Sequence, residues 1–351
     1  MGMAGHSIDT ISEDGLRKLA DERHIEEALL ASAARALDDW EINATEISLV
    51  SHSENIVFRV DSDSRQPFVL RFHRPGYHTL PELHGEFQWT AALNRSGIGA
   101  PVPRLSKDKR FFVPLNLPEL SQTRFVSLVE WVEGTPMATL IERETEPSRL
   151  AAYFHKVGSL AARIHNQAAA WQVPPGFERH AFDADGLMGS QPFWGPFWQQ
   201  SNLTPAERDQ IVYARNRIYS LLTDYGQDRR TYSLIHADLH PGNLITTGET
   251  VHIIDFDDSG FGWHLYELAV AISYYQDTPH FEVIRKAIIA GYLTERTLSQ
   301  SDIQLLPVFI LVRSMVSLGW IEQRPELDSS HKIPTLIRRS CEQSRALFGE
   351  V

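Results

Sequence analysis

The chain has 351 residues, 42% hydrophobic and 22% charged, with 21 Gly and 19 Pro, which excludes disordered, collagen-like and low-complexity classes. Asp and Glu number 45 against 33 Lys and Arg; the net charge of −12 argues against broad nucleic-acid binding or docking on an anionic membrane, but leaves room for a local cationic pocket for phosphate. The one cysteine, Cys341, rules out an intrachain disulfide and a cysteine-based zinc site, so a reducing, cytoplasmic location is expected, with no membrane and no nucleic-acid partner.

At ~100–200 residues per domain, the length predicts two domains or lobes. The start, MGMAGHSIDT, has neither an apolar signal core nor an Arg-rich amphipathic pattern. His6 stands where myristoylation after Gly2 would need Ser or Thr. LRKLADERHIEEALLASAARALDDW spaces its apolar residues three and four apart, so residues 1–45 are expected to form a helical extension. From Glu46 the period becomes two. ISLVSHSENIVFRVDSD holds two short strands around the polar break at 51–55, and PFVLRFHRP is a third. Residues 81–96 read as an amphipathic helix through Leu83, Phe87, Ala91 and Leu93. Strands follow at RFFVPL and RFVSLVEWVEG. Residues 46–133 therefore make a sheet-rich lobe with one internal helix.

After Gly134 the chain turns helical, with SRLAAYFHKVGSLAARIHNQA and residues 204–225 as helices and an irregular aromatic stretch, FDADGLMGSQPFWGPFW, between them. Two short strands near Asn243 and Asp255 precede further helices. Residues 305–320 are apolar but too few to span a bilayer and contain Arg313, so they read as a buried helix. Residues 134–351 are a larger helical lobe. The expected architecture is α+β and bilobal, and ligands often bind where two such lobes meet.

The chemistry concentrates in LIHADLHPGNLITTGETVHIIDFDD. Residues 244–247 and 251–255 can pair as a hairpin through a turn containing Gly248, and the midpoint of 243 and 255 falls in that turn. Asn243 and Asp255 are then expected side by side at the open end, with Asp238 one loop earlier. Two carboxylates and an amide are hard oxygen donors of the kind Mg²⁺ prefers. Phosphoryl transfer uses such a set: metal ions for the phosphates and a carboxylate to orient a hydroxyl and take its proton. Any one of these residues alone reads as an Asx cap or a strand end; the joint pattern H-x-D-x-x-x-x-N, hairpin, D-F-D does not.

At HADLHPGN and IIDFDD the chain resembles the aminoglycoside phosphotransferase and choline kinase-like superfamily, which has the protein-kinase-like fold. Motif order extends the resemblance over residues 47–271. SENIVFRV, VLRFHRPG and the aromatic stretch are similar to the branch of stress response kinase A and the type II homoserine kinases. The resemblance implies ATP and Mg²⁺ as cofactors, Asp238 as catalytic base, Asn243 as a Mg²⁺ ligand, and Asp255 as the principal Mg²⁺ ligand bridging the ATP phosphates.

The resemblance also places the nucleotide loop at residues 51–55, so Ser53, Glu54 and Asn55 are expected to cradle phosphate, although no G-x-G-x-x-G is present and a simple polar hairpin reads equally well. Arg71 stands where most relatives carry Lys, on a face shared by Val69 and His73, and is expected to grip the α- and β-phosphates. The alternative is a surface arginine on an edge strand. Glu86 is the expected partner of Arg71, with Glu82 one turn earlier as competitor. Backbone groups of Glu130, Trp131 and Val132 are expected to meet the adenine edge. Asp257 either touches a second metal or caps a turn. Glu267 replaces the family's usual Asp, a departure expected to affect packing, and His236 and His165 read as structural. Trp194 and Trp198 either wall the acceptor site or fill the core.

Three functions follow. The first is an ATP-dependent kinase of a small hydroxylated metabolite, such as an amino alcohol or a homoserine-like compound. The others are a serine/threonine protein kinase similar to stress response kinase A and a catalytically weak nucleotide-binding module.

Overall fold

Residues 13–327 and 329–351 are described by a computed structural model of the chain. They divide into two compact units: residues up to His78 with Val102–Trp131, and Thr79–Pro101 with Val132–Val351.

In the first unit, helix α1 (Glu13–Leu37) precedes strands β1 (Ala44–His52), β2 (Ile56–Ser62), β3 (Phe68–Phe72), β4 (Pro103–Arg104), β5 (Val113–Leu117) and β6 (Gln122–Glu130). They form one antiparallel sheet in the order β1-β2-β3-β6-β4, with β5 also on β6. Alternation decides its faces. Ile56, Phe58 and Val60 of β2 and Phe68, Leu70 and Phe72 of β3 turn into a core that Leu29, Ala33 and Leu37 of α1 complete. Burying each large apolar side chain contributes about 1.5–3 kcal/mol. β3 is thus a central strand, which corrects the edge-strand alternative for Arg71. The strand expected at RFFVPL begins only at Val113, and β4 went unforeseen because it is two residues long and begins with proline.

The second unit opens with α2 (Leu80–Arg95). Its N-terminus is a capping box in which the Glu82 carboxylate accepts from the Thr79 N–H at 2.8 Å and Thr79 Oγ1 accepts in return. Then come β7 (Thr135–Pro136), α3 (Met137–Glu142), α4 (Pro147–Ala170), β8 (Ala181–Phe182), α5 (Ala184–Met188), α6 (Pro205–Tyr225), β9 (Tyr232–Ile235), β10 (Leu244–Thr247), β11 (Thr250–Ile253), β12 (Gly260–Trp263), α7 (His264–Ser273), α8 (Phe281–Leu293), α9 (Gln300–Glu322) and α10 (Ile333–Phe348). Two small sheets, β11-β10-β7 and β8-β12-β9, carry the loops of interest. β12 (Gly-Phe-Gly-Trp) was not expected, since glycine reads as a strand breaker; here Gly262 admits the Ile235 side chain, which would lie 2.5 Å from a Cβ.

α9 runs for 23 residues, with a mean hydropathy of 1.6 in its most apolar window. Length alone would therefore let it cross a membrane, against expectation. Its burial places it in the interior instead, packed against α7 and α10.

Candidate active site

β9 delivers the chain into His236-Ala237-Asp238, where Ala237 adopts a left-handed φ of 63°. An L-residue there costs roughly 1–3 kcal/mol unless its surroundings hold it. Glu267 on α7 does so: its two carboxylate oxygens accept the N–H groups of His236 and Ala237, each at 2.7 Å. Glu267 is fully buried, and that burial pushes its carboxyl up to about 7 against the opposing pull of His236 and the two N–H donors. The Glu-for-Asp departure thus bears on the geometry of the loop itself, beyond the packing effect expected of it.

His236 braces the same loop. Its Nδ1 accepts the Asp238 N–H at 3.3 Å, which leaves Nε2 to donate to the Ile254 carbonyl at 3.0 Å. Burial holds its pKa below the usual histidine value. Beneath Glu267, the rings of His165 and His264 stack at 4.1 Å, and both are held well down by burial. His165 Nδ1 pairs with the Tyr292 hydroxyl at 2.9 Å and His264 Nε2 with Ser233 Oγ at 2.8 Å. These rings are braced in the interior and carry no exposed proton.

The Asp238 carboxylate is gripped from three directions. Asn243 Nδ2 donates to Oδ2 at 3.0 Å and to the Asp238 main-chain carbonyl at 2.9 Å. His240 Nδ1 accepts the Gly242 N–H at 3.0 Å, so its Nε2 carries the proton and faces Oδ2 at 3.3 Å. Arg313 of α9 donates to Oδ1 at 2.9 Å. Burial alone would raise the Asp238 pKa. The His240 hydrogen bond and the positive charge of Arg313 outweigh it and hold the carboxyl below the usual range. A Cβ at Gly242 would lie 2.6 Å from His240 Cε1, so a larger residue there would have to displace the ring that faces Asp238.

The hairpin forms with Leu244 opposite Ile253 and Thr247 opposite Thr250, turning through Gly248 (φ 59°) and Glu249. The register differs by one residue from that expected: Asn243 faces Ile254, whose N–H it accepts at 2.9 Å, and Asp255 lies one step beyond. Asp255 is exposed, with a left-handed φ of 61° that aspartate tolerates better than most residues. Phe256 behind it is fully buried, edge-on to His236 at 4.7 Å and to Trp89 at 5.6 Å. The following carbonyls converge on Arg179, a residue not foreseen. It donates to Ser259 O at 2.5 Å, to Asp257 O, and to Glu82 O of α2 at 3.1 Å. Gly85 lets α2 approach this segment, since a Cβ there would lie 2.4 Å from Glu178 O. Glu86, on the same helix, is buried.

Arg71, the loop of Ser53, Glu54 and Asn55, and Glu130 and Trp131 lie in the first unit. Arg71 is buried between Val57 of β2 and Ser127 of β6. His73 on its face bonds Ser127 Oγ at 2.8 Å. At the β1–β2 turn the Ser53 N–H bonds Asn55 O at 3.2 Å, and the Glu54 carboxylate accepts Arg74 at 2.8 Å. Asn55 Oδ1 accepts the Arg74 N–H at 2.9 Å. The N–H groups of Glu130 and Trp131 bond Val102 O and Pro67 O, at 2.9 and 3.0 Å; Val132 begins the second unit. Trp194 is buried with its ring 5.1 Å from the Arg313 guanidinium, while Trp198 stacks under Arg215 at 4.2 Å.

The structure thus brings together Asp238 and Asn243, sets Asp255 two residues past the end of β11, and adds Arg313, His240, Glu267 and Arg179. Arg313 had one legible signal, being the lone cation of an apolar helix. Arg179 had none, because its partners are carbonyls distant in sequence.

Among solved structures, the microcompartment-associated aminopropanol kinase is similar at a TM-score of 0.77 and 28% identity, covering 92% of this chain and 99% of that one. The amicoumacin kinase hAmiN, solved in complex with AMP-PNP, Ca²⁺ and Ami, has a TM-score of 0.73 at 19% identity, covering 94% and 96%. A homoserine kinase of Agrobacterium fabrum (strain C58 / ATCC 33970) is 25% identical over 256 residues, 70% of each chain. The fold is that of the kinase-like α+β proteins. Residues 46–300 match the phosphotransferase enzyme family, and with its Asp238–Asn243 loop the chain belongs to that family of kinases.

Proposed function

We propose that the protein transfers the γ-phosphoryl group of ATP to a hydroxyl of a small metabolite, an amino alcohol or a homoserine-like compound, with Asp238 as the base. The observation that carries this reading is the Asp238 carboxylate itself, held by Asn243, His240 and Arg313 yet still 21% exposed. In the transfer, the acceptor oxygen bonds to the γ-phosphorus, the bond to the β–γ bridging oxygen breaks, and the hydroxyl proton passes to Asp238. ATP and a divalent ion are supported by the AMP-PNP and Ca²⁺ of hAmiN. A small acceptor is supported by the aminopropanol kinase and homoserine kinase likenesses.

Asn243 and Asp255 would hold the Mg²⁺ ion. Asn243 spends its amide nitrogen on Asp238, so its Oδ1 is the atom left for a cation, and Asp255 offers an exposed carboxylate. Both are the hard donors that Mg²⁺ takes. When bound, the ion neutralises charge on the phosphates. Arg71 is assigned the α- and β-phosphates, while Glu82 caps α2. The loop of Ser53, Glu54 and Asn55 is assigned to phosphate through its backbone N–H groups, with the Glu54 side chain held on Arg74. Of Glu130, Trp131 and Val132, the first two have N–H groups spent within their own unit, so Val132 is the N–H assigned to adenine.

An ATP-consumption screen tests the reading, with 1-amino-2-propanol, L-homoserine, sugars, aminoglycosides and casein as acceptors. Turnover is expected with a small hydroxylated amine and not with casein. Asp238→Asn should lower that turnover by about 10²–10⁴-fold, the usual contribution of a general base, while Mg-ATP still binds. Phosphorylation of casein alone, or undiminished turnover in the Asn variant, would overturn the proposal.

A further inference from the structure

We infer that Arg313 is a positioning residue that sets the Asp238 carboxylate for the acceptor hydroxyl, an inference that rests on the reading of Asp238 as base. A carboxylate offers about four lone-pair positions. Asn243 and His240 take two of them on Oδ2, and Arg313 takes one on Oδ1. The position left for a hydroxyl is therefore on Oδ1, the oxygen that Arg313 itself holds. Rotation of the carboxylate would break these contacts together.

The guanidinium is set as firmly as the carboxylate. Its carbon lies 5.1 Å from the centre of the Trp194 ring, and Trp194 is itself buried. The phenols of Tyr266 and Tyr274, on and just after α7, lie close enough for the Arg313 charge to oppose the upward push that burial gives each of them. Arg313 is the only cation in α9. A charge in such a helix is costly unless paired, and replacing a buried pair by apolar residues is often neutral or stabilising. Stability alone therefore does not call for an arginine here, whereas a fixed general base does. Lysine would keep the charge but lose the planar fork that Trp194 and Asp238 share.

The test uses full-length protein and four variants: Arg313→Lys, Arg313→Met, Asp238→Asn, and the Asn/Met double substitution. Phosphate release from Mg-[γ-³²P]ATP is followed with water as acceptor, and phosphorylation with 1-amino-2-propanol and L-homoserine. Arg313→Met should lower kcat about a hundredfold, the order of loss that a misplacement of about 1 Å produces. The KM for ATP and the Mg-ATP thermal shift should stay within about twofold of wild type, and Arg313→Lys should recover part of kcat. In the Asn background the Met substitution should cost less than about twofold, because an effect exerted through the carboxylate has nothing left to act on. Equal losses in both backgrounds, or a Met variant as active as wild type, would overturn the inference. A wild-type protein inactive towards all acceptors, water included, would instead overturn the proposed function and the inference with it. Arg313→Lys keeps the test open if the Met variant does not fold.

Discussion

Ala237 is a small residue in an expensive conformation, and Glu267 is what makes that conformation tenable. The Glu267 carboxylate fills the space behind the loop, supplies both acceptors for the His236 and Ala237 N–H groups, and is held at about 7 by burial. Because its folded value lies above the ordinary 4.5, the native state binds this proton more tightly than the unfolded chain. Its contribution to stability is fully present below about pH 4.5 and is lost as pH rises through about 7, a change of about 3 kcal/mol. Glu267→Gln does not titrate. Urea unfolding at pH 5 and pH 8 should therefore show the gap between wild type and the Gln variant moving in the variant's favour by up to that amount. A gap that ignores pH would refute the buried carboxyl as its source.

At the scale of elements, the hydrophobic periods of two and three-to-four marked β1 to β3, α2, α4 and α6 to within about three residues, because each of those segments has one face in a core. β8, β9 and β12 escaped notice because they are short and, in β12, half glycine; their pairing is decided by tertiary contacts that no local pattern carries. The Asp238–Asn243 loop was legible since its spacing is rigid, while Arg179 and Arg313 reach Asp257 and Asp238 across 78 and 75 residues of sequence. The same limit hides the α4–α8 contact. There a Cβ on Gly158 would lie 2.0 Å from Ile288 O, and one on Gly291 2.0 Å from His155 O, so each helix needs its own glycine for the backbones to meet. Gly158→Ala should destabilise the protein by about 1–3 kcal/mol despite alanine's better helix propensity. Denaturant unfolding at equal m-value is the measurement, and a stabilised variant would show that the helices can part at no cost.

For the molecule as a whole, the charge of −12 sets a condition on nucleotide binding. A long-range field of that sign repels ATP, so binding has to come from short-range contacts and from a cation carried in with the phosphates. A ligand that binds only the folded state stabilises it by about 2.7 kcal/mol at a hundredfold excess over Kd, which appears as a rise of several degrees in Tm. Mg-ATP should produce that rise, and ATP with chelator a much smaller one. The discriminating variant is Asp255→Asn: asparagine accepts the left-handed backbone at this position about as well as aspartate, so the fold and the Tm without ligand should be kept. What it removes is the exposed carboxylate. The Mg-dependent part of the shift should then vanish while the Mg-independent part persists; a full Mg-dependent shift in the Asn variant would remove Asp255 from the metal site and leave Asn243 without its proposed partner.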